Sequence, residues 1–461
     1  MNNSSVQSLT NYNKLFFIGI AGTGMSALAQ YCKGIGKQVV GSDRYFENDK
    51  PNETQQQLTA FGIDCFPQDS SGIDKSIDIV IISTAVEDSN IEVQKAKALG
   101  IEIIKRSQLL TLISNTKKTI AIGGTSGKST TTAMLFDILD VAGLQPSIIS
   151  GAGLARLQEK GLIGNAWVGN GDWLVIEADE SDGSIVNYHP QIGVLLNIDK
   201  DHKEIEELHD IFNTFKQNSK SFVVNQSNKY AAQFSENSHQ DFGLAQSGAG
   251  FVATEIEAKD FSVQFKVNNV LFVIHTFGIH NVENALAATA VANLCGVQLD
   301  TCAKAIEQYK GIYRRNQILG TKNSILVIDD YAHNPAKCAA AIKGVQAVSN
   351  HVVAWFQPHG YGPTRFLRHD FVHELAAVLR PTDTIVMSEI FYAGGTAVKD
   401  ISANDLIEDL KAKGCNALFV ADRNNLVAQV KPLLPENSVL LLMGARDPSL
   451  AQFAKTVFED L

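Results

Sequence analysis

Apolar runs of strand length alternate with amphipathic stretches of helix length from one end of the chain to the other, the pattern of an α/β protein with mainly parallel sheets. Leu15 to Ile20, Gln38 to Ser42, Asp78 to Ala85 and Ile101 to Ile104 form a first group of predicted strands. The polar stretch Ser114 to Lys118 closes that group and reads as a linker. A second group opens with Thr119 to Ile122 and continues through Trp173 to Ala178 and Ile192 to Ile198. Between Gly248 and Phe277 the period changes to two, which predicts antiparallel hairpins appended to the second group. A helical segment, Asn281 to Leu294, and a loop around Gly311 lead into a third group. Its strands are Ile325 to Ile328, Val352 to Phe356, Thr384 to Ser388, Ala417 to Val420 and Ser438 to Met443. At about 150 residues per domain the chain has room for three, and the breaks set them at residues 1–115, 116–315 and 316–461.

Charge narrows the partners. Lys plus Arg number 39 against 49 Asp plus Glu, a net charge of −10, so no general positive field exists for gripping a nucleic acid, although a local phosphate site is compatible with it. The six cysteines, Cys32, Cys65, Cys295, Cys302, Cys338 and Cys415, are scattered without a CxxC pair, which favours buried thiols in a reducing cytoplasm over disulfides or zinc. Leu15 to Ala29 could pass for a signal-peptide core, but the residues before it are mostly polar rather than basic, and Gly19, Gly22 and Gly24 interrupt it. With no run of 18 apolar residues elsewhere, the expectation is a soluble protein with no membrane anchor.

The strongest chemical signal is TIAIGGTSGKSTTTAMLFDIL, a strand, a glycine-rich turn and a helix start. That order aims the backbone N–H groups of Gly124, Thr125, Ser126 and Gly127 and a helix N-terminus at phosphate oxygens. Lys128 then reaches the β- and γ-phosphates of ATP, Ser129 meets Mg2+, and Thr130 completes the turn. Ile122 stands where the usual P-loop spacing has glycine. A turn that binds nothing is the bland alternative, and Gly-Lys-Ser-Thr at a helix start has little purely structural purpose. The second signal is IEADESD, in which Glu177, Asp179, Glu180 and Asp182 crowd the end of a strand and should raise one another's pKa unless a cation neutralises them. His202 in NIDKDH follows another strand end and suggests a second metal position beside the first. Glycines also mark the first strand-to-helix turn, LFFIGIAGTGMSALA, followed by QVVGSD. Taken alone, that pattern fits any dinucleotide-binding, Rossmann-like domain, a dehydrogenase included.

Taken in order, GTSGKST, EADESD, DH, GIHNVENALAATA and DDYAHNP resemble the Mur ligases, the ATP-dependent amide-forming enzymes of peptidoglycan synthesis, over nearly the whole chain. The resemblance implies a Rossmann-like first domain, a central P-loop domain with a parallel sheet plus a small antiparallel one, and a Rossmann-like third domain. It implies that Glu177 and His202, with Ser129, hold magnesium, and that His280, Asn281 and Asn284 lie on the adenine side. Arg315 would reach the nucleotide phosphates, and Asp330 belongs to a motif of the third domain. Lys128, Glu177, His202 and Arg315 are then the catalytic set. The opening is similar to family members that hold a uridine diphosphate sugar, with Gly19, Gly22, Thr23, Gly24 and Met25 along the pyrophosphate and Ser42 and Asp43 near the uridine.

The resemblance also implies the reaction: ATP phosphorylates the carboxylate of UDP-N-acetylmuramate, and an amino group attacks the acyl phosphate. L-alanine is the expected acceptor, with His333, His359, Tyr361 and Arg365 on its side of the site. The alanine-adding branch of the family carries arginines at Gly360 and Pro363 and a histidine at Asn334, so two carboxylate clamps are missing here, unless Arg365 or Arg368 substitutes. A short murein peptide or another acceptor is therefore the alternative. From a different class comes a non-catalytic nucleotide-binding regulator, which the intact Lys128, Ser129, Glu177 and His202 oppose. A monomer or a dimer is expected.

Overall fold

Four consecutive apolar residues, Leu15 to Ile18, can be buried together only in a strand covered on both faces, and the strand Lys14–Ile18 is the middle one of a five-stranded sheet. The structure, a computed structural model, describes residues 8–461 apart from 182, 200–203, 246, 260–261, 277, 393–397 and 448. All pairs of the first sheet are parallel, and its strands, counted along the chain, lie in the order third, second, first, fourth, fifth. The order reverses between Lys14–Ile18 and Ile79–Ile82, so the strand ends beside that reversal open a crevice. The third strand, Asp64–Pro67, is short and half-exposed.

The second sheet has Lys118–Gly123 near its centre, between Trp173–Glu177 and Ile192–Leu195, all three parallel. Register pairs Ile122 with Glu177 and Gly123 with Leu195, which brings the glycine turn, Glu177 and Asn197 to one sheet end. Ser147–Ile149, Ala166–Trp167 and Phe222–Val224 complete it. The alternating segment forms the expected hairpin, Ser262–Val267 against Val270–Ile274, with Asn268 and Asn269 at positive φ in its turn. The small sheet is mixed, because Phe242–Leu244 joins Phe251–Lys259 in parallel. Helix Ile279–Leu294 lines itself with alanines at 285, 287, 288, 290 and 292 and is buried from Asn281 to Ala292 except at Glu283, which lets it pack closely on the helix Lys128–Val141.

These three sheets form one compact unit, residues 1–257, 263–275 and 279–310, and a single apolar core runs through the first two. The second unit holds residues 258–262, 276–278 and 311–461. Its six-stranded sheet is parallel except at one edge, where Gln317–Lys322 runs antiparallel to Ile325–Asp330. Trp355 is buried within it, its Nε1 donating to Ser388 Oγ at 2.9 Å. All six cysteines are free, and burial pushes the Cys32, Cys295 and Cys302 thiols up to about 12. No helix among the described residues is long and apolar enough to cross a membrane.

Candidate active site

The turn after Lys118–Gly123 is built around residues that no side chain but hydrogen fits. Gly124 has φ +137°, and Gly127, at φ +81°, is the N-cap of the helix Lys128–Val141, where a Cβ would lie 2.5 Å from Asn284 Oδ1. No side chain caps this helix, so its first N–H groups face the turn. Asn197 braces the loop from outside: its Oδ1 accepts from Thr125 Oγ1 at 2.8 Å and from the Ser126 N–H at 2.9 Å, and its Nδ2 donates to the Ser126 carbonyl at 3.1 Å. Nothing local to Asn197 marks this role beyond its place at a strand end.

Lys128 Nζ donates to the Gly124 carbonyl at 2.6 Å and to Glu180 Oε2 at 2.7 Å. Ser129 Oγ donates to Glu177 Oε2 at 2.9 Å, and the other carboxylate oxygen accepts from Ser150 Oγ and the Gly151 N–H, both at 2.7 Å. Asp179 turns aside, its Oδ1 accepting from the Ser181 N–H and hydroxyl. Among the described residues, Glu177, Asp179 and Glu180 therefore sit in three separate environments rather than one crowded cluster. Asp182 and His202 lie outside the described residues. Among the described residues no group of three His, Cys, Asp or Glu is poised to hold a metal. What remains is the pair Ser129 and Glu177, which fits a hard cation completed by phosphate and water oxygens.

Asn281 and Asn284 are both buried on the helix Ile279–Leu294, and Asn284 Oδ1 accepts from Thr131 Oγ1 at 3.2 Å, tying that helix to the P-loop helix. His280 is exposed at the start of the helix, 3.2 Å from Asn281 Nδ2. Thr130 is half-buried in the first turn.

In the first sheet, Gly19 at φ +78° follows Lys14–Ile18, and Gly22 caps the helix Thr23–Gly34, within which Gly24 lies. Met25 is buried beneath that turn. Asp43 supports the turn through the Ala21 N–H at 3.1 Å, and burial raises its carboxyl above the usual range. The Ser42 hydroxyl is committed inward, to the fully buried Glu92 at 2.5 Å. Arg106 was not foreseen: a Cβ on Gly24 would lie 2.9 Å from its Nη1, so glycine there makes room for a guanidinium.

The third group of expected residues belongs to the second unit. His333 and His359 lie with ring centres 5.9 Å apart and their planes tilted by 54°. Burial, with His333 and Arg446 nearby, pushes His359 down to about 4, and its buried Nδ1 has no hydrogen-bond partner. Tyr361 packs edge-on against Tyr392. Arg365 pairs with Asp400, and Arg368 grips Asp409 with Nε at 2.7 Å and Nη2 at 3.0 Å, so both arginines are held by carboxylates of the chain itself. Arg315 is exposed, next to the buried Arg314, which pairs with Asp329 at 2.9 Å. Asp330 accepts from the Asn316 and Ala332 N–H groups, both at 2.7 Å, and burial raises its carboxyl. It thereby fixes the backbone on either side of the strand rather than presenting a free carboxylate.

Comparison with known proteins agrees with this geometry. The family description "Mur ligase family, catalytic domain" matches residues 14–118, "Mur ligase middle domain" matches 122–292, and "Mur ligase, glutamate ligase domain" matches 314–446. The chain is 33% identical over 462 residues to the UDP-N-acetylmuramate–L-alanine ligase of Dictyoglomus turgidum, covering 95% of each chain. It is 35% identical over 451 residues to that of Aquifex aeolicus, covering 94% of each. Among solved structures, the UDP-N-acetylmuramate-alanine ligase of Thermotoga maritima superposes with a TM-score of 0.79 at 27% identity, over 97% of this chain and 98% of that one. A murein peptide ligase of Psychrobacter arcticus has the same fold, with a TM-score of 0.66 at 18% identity, over 97% and 98%.

Proposed function

The chain belongs to the Mur ligase family, and on that premise we propose that it is a cytoplasmic, ATP-dependent ligase joining L-alanine to the carboxylate of UDP-N-acetylmuramate. Residues 1–115 would take the UDP-sugar, 116–315 ATP and 316–461 the acceptor. One observation carries the reading. Lys128, Ser129 and Glu177 stand together at the mouth of a glycine turn whose neighbours leave no room for a side chain at Gly127.

The chemistry follows from charge. A carboxylate oxygen of the sugar attacks the γ-phosphorus of ATP, the bond to the β-phosphate oxygen breaks, and ADP leaves with its electron pair. Two anions must approach for this to happen, so positive charge and N–H dipoles have to be in place beforehand. Lys128 supplies one charge, and the uncapped N–H groups of Gly127, Lys128 and Ser129 at the helix start supply the dipoles, those of Thr125 and Ser126 being taken by Asn197 rather than free as the sequence suggests. Ser129 and Glu177 would hold Mg2+, which when bound screens the phosphate charge. The acceptor's ammonium gives up one proton to water, the neutral amine attacks the acyl carbon, the bond from that carbon to the phosphate oxygen breaks, and a second proton leaves the nitrogen with the departing phosphate. His359, kept neutral by burial, adds no positive charge on the acceptor side of the site. Oxygen-18 in the muramyl carboxylate tests the sequence of steps: one label should appear in the phosphate released, and unlabelled phosphate would exclude an acyl phosphate.

A second acceptor, a short murein peptide, is favoured by the two engaged arginines. With Arg365 on Asp400 and Arg368 on Asp409, neither fills the place left by Gly360 and Pro363, and small residues there leave space beyond an alanine. Each missing charge-assisted bond is worth about 1.5 to 3 kcal/mol. Arg365→Ala should then leave the KM for the acceptor unchanged, whereas a rise of about tenfold would assign Arg365 to the acceptor.

A further inference from the structure

Asn165 is fully buried, and its amide is bonded to the helix Thr23–Gly34 that follows the first strand of the first sheet. Nδ2 donates to the Thr23 carbonyl at 2.8 Å and to Ser26 Oγ at 2.9 Å, and Oδ1 accepts from Gln30 Nε2 at 2.7 Å. Gln30 Nε2 also donates to the Ser26 carbonyl at 2.9 Å. These three partners lie on the helix Thr23–Gly34, immediately after the glycines of the candidate UDP-sugar turn. Asn165 itself precedes the strand Ala166–Trp167 of the second sheet.

From Asn165 the hydrogen bonds continue. Its carbonyl accepts from the Ser150 N–H at 2.9 Å, Ser150 Oγ donates to Glu177 Oε1 at 2.7 Å, and Glu177 Oε2 accepts from Ser129 Oγ at 2.9 Å. An unbroken path therefore links the first turn of one nucleotide site to the P-loop serine of the other. At its far end the same helix lies close against the residue that follows the strand, since a Cβ on Gly34 would lie 2.6 Å from Val168 Cγ2. Apolar side chains could fill such an interface in several registers, whereas a buried, fully satisfied amide permits one.

We infer that Asn165 is a positioning residue, holding the turn at Thr23 to Ser26 in fixed register against Ser150, Glu177 and Ser129, so that carboxylate and γ-phosphate meet in line. The inference rests on the ligase reading for its substrates. Alignment is lost steeply with displacement, so Asn165→Ala should lower kcat by at least about 30-fold. The KM for ATP and the Kd for UDP-N-acetylmuramate should stay within about threefold, because no substrate contact is removed. Asn165→Asp should recover part of the loss, since Gln30 keeps its acceptor and Ser26 can turn its hydroxyl proton to the carboxylate. Combined with Ser150→Ala, the loss should fall short of the product of the two single losses, as expected for links in one path.

A second readout needs no turnover: in the free protein, Asn165→Ala should speed amide exchange at Ser150 and Gly151 by about tenfold or more. A kcat within threefold of wild type, an equal fall in every kinetic and binding parameter, or unchanged exchange overturns the inference. A wild-type protein that forms no ADP with UDP-N-acetylmuramate overturns the ligase reading instead, and exchange alone then decides the link.

Discussion

Lys128 Nζ lies 2.7 Å from Glu180 Oε2, an ion pair whose side chains are only 16% and 10% exposed. The P-loop ammonium thus rests on a carboxylate of its own chain, and nucleotide phosphates must compete with Glu180 for it. Removing that charge while keeping the shape should help the nucleotide. Glu180→Gln is expected to lower the Kd of Mg-ATP by about three- to tenfold, or roughly 0.7 to 1.4 kcal/mol. Calorimetric titration measures it directly, and weaker binding would mean that Glu180 serves the nucleotide rather than competing with it.

The same pair changes what a lysine substitution does. Without the lysine, Glu180 would be stranded as a lone carboxylate in a sheltered site. Lys128→Ala should lower kcat by more than about tenfold and also destabilise the fold by about 1 to 3 kcal/mol. The double variant Lys128→Ala, Glu180→Gln should regain most of the stability and none of the turnover. Urea midpoints and ADP release separate the two effects.

Glu177 is held by three donors, from Ser129, Ser150 and Gly151, which aim both its oxygens. Glu177→Gln keeps the shape and removes the formal charge that a divalent cation needs. The Mg2+ concentration for half-maximal activity should rise by about tenfold or more, a change of roughly 1.4 kcal/mol, with a smaller rise for Ser129→Ala. An unchanged Mg2+ dependence in both would reduce these residues to structural hydrogen bonding.

His359 gives the stability a pH dependence of known sign. Its folded pKa, about 4, is below the ordinary 6.5, so the native state disfavours the proton that the unfolded state accepts. The contribution is therefore fully present above about pH 6.5 and is lost as pH falls from there toward 4. Partial exposure reduces the effect, and we expect His359→Gln to flatten the stability curve by about 1 to 2 kcal/mol between pH 7 and 4.5. Denaturant unfolding of both proteins across that range measures the difference, which cancels the carboxyls that titrate in both.

The central strands were legible because two-sided burial forces runs such as Leu15 to Ile18 and Val439 to Gly444 to be apolar throughout. Several edge strands were not, although Glu102–Lys105 and Ala417–Phe419 were. Asp64–Pro67 is polar and half-exposed, Gln317–Lys322 carries a bulge between Ile318 and Gly320, and Phe222–Val224 is three residues long. The P-loop and Glu177 could be found because their chemistry is local to one turn. Lys128 with Glu180, Thr125 with Asn197 and Thr23 with Asn165 are partners only after folding, being 52, 72 and 142 residues apart, and no local pattern marks them. Arg365 and Arg368 show the reverse: sequence offered them as free cations, and Asp400 and Asp409, 35 and 41 residues on, had already taken them.

The most direct measurement is ADP formation by the purified protein with Mg-ATP and UDP-N-acetylmuramate against L-alanine, L-serine, glycine and a short murein peptide, with the product weighed by mass spectrometry. The account predicts ADP release that requires both the UDP-sugar and an amine, a product heavier by the acceptor less one water, and turnover of L-alanine with a KM about tenfold or more above that of relatives carrying the two arginines. Activity with at least one bulkier acceptor should accompany it. Absence of ADP with every acceptor, or ADP release indifferent to the UDP-sugar, would contradict it.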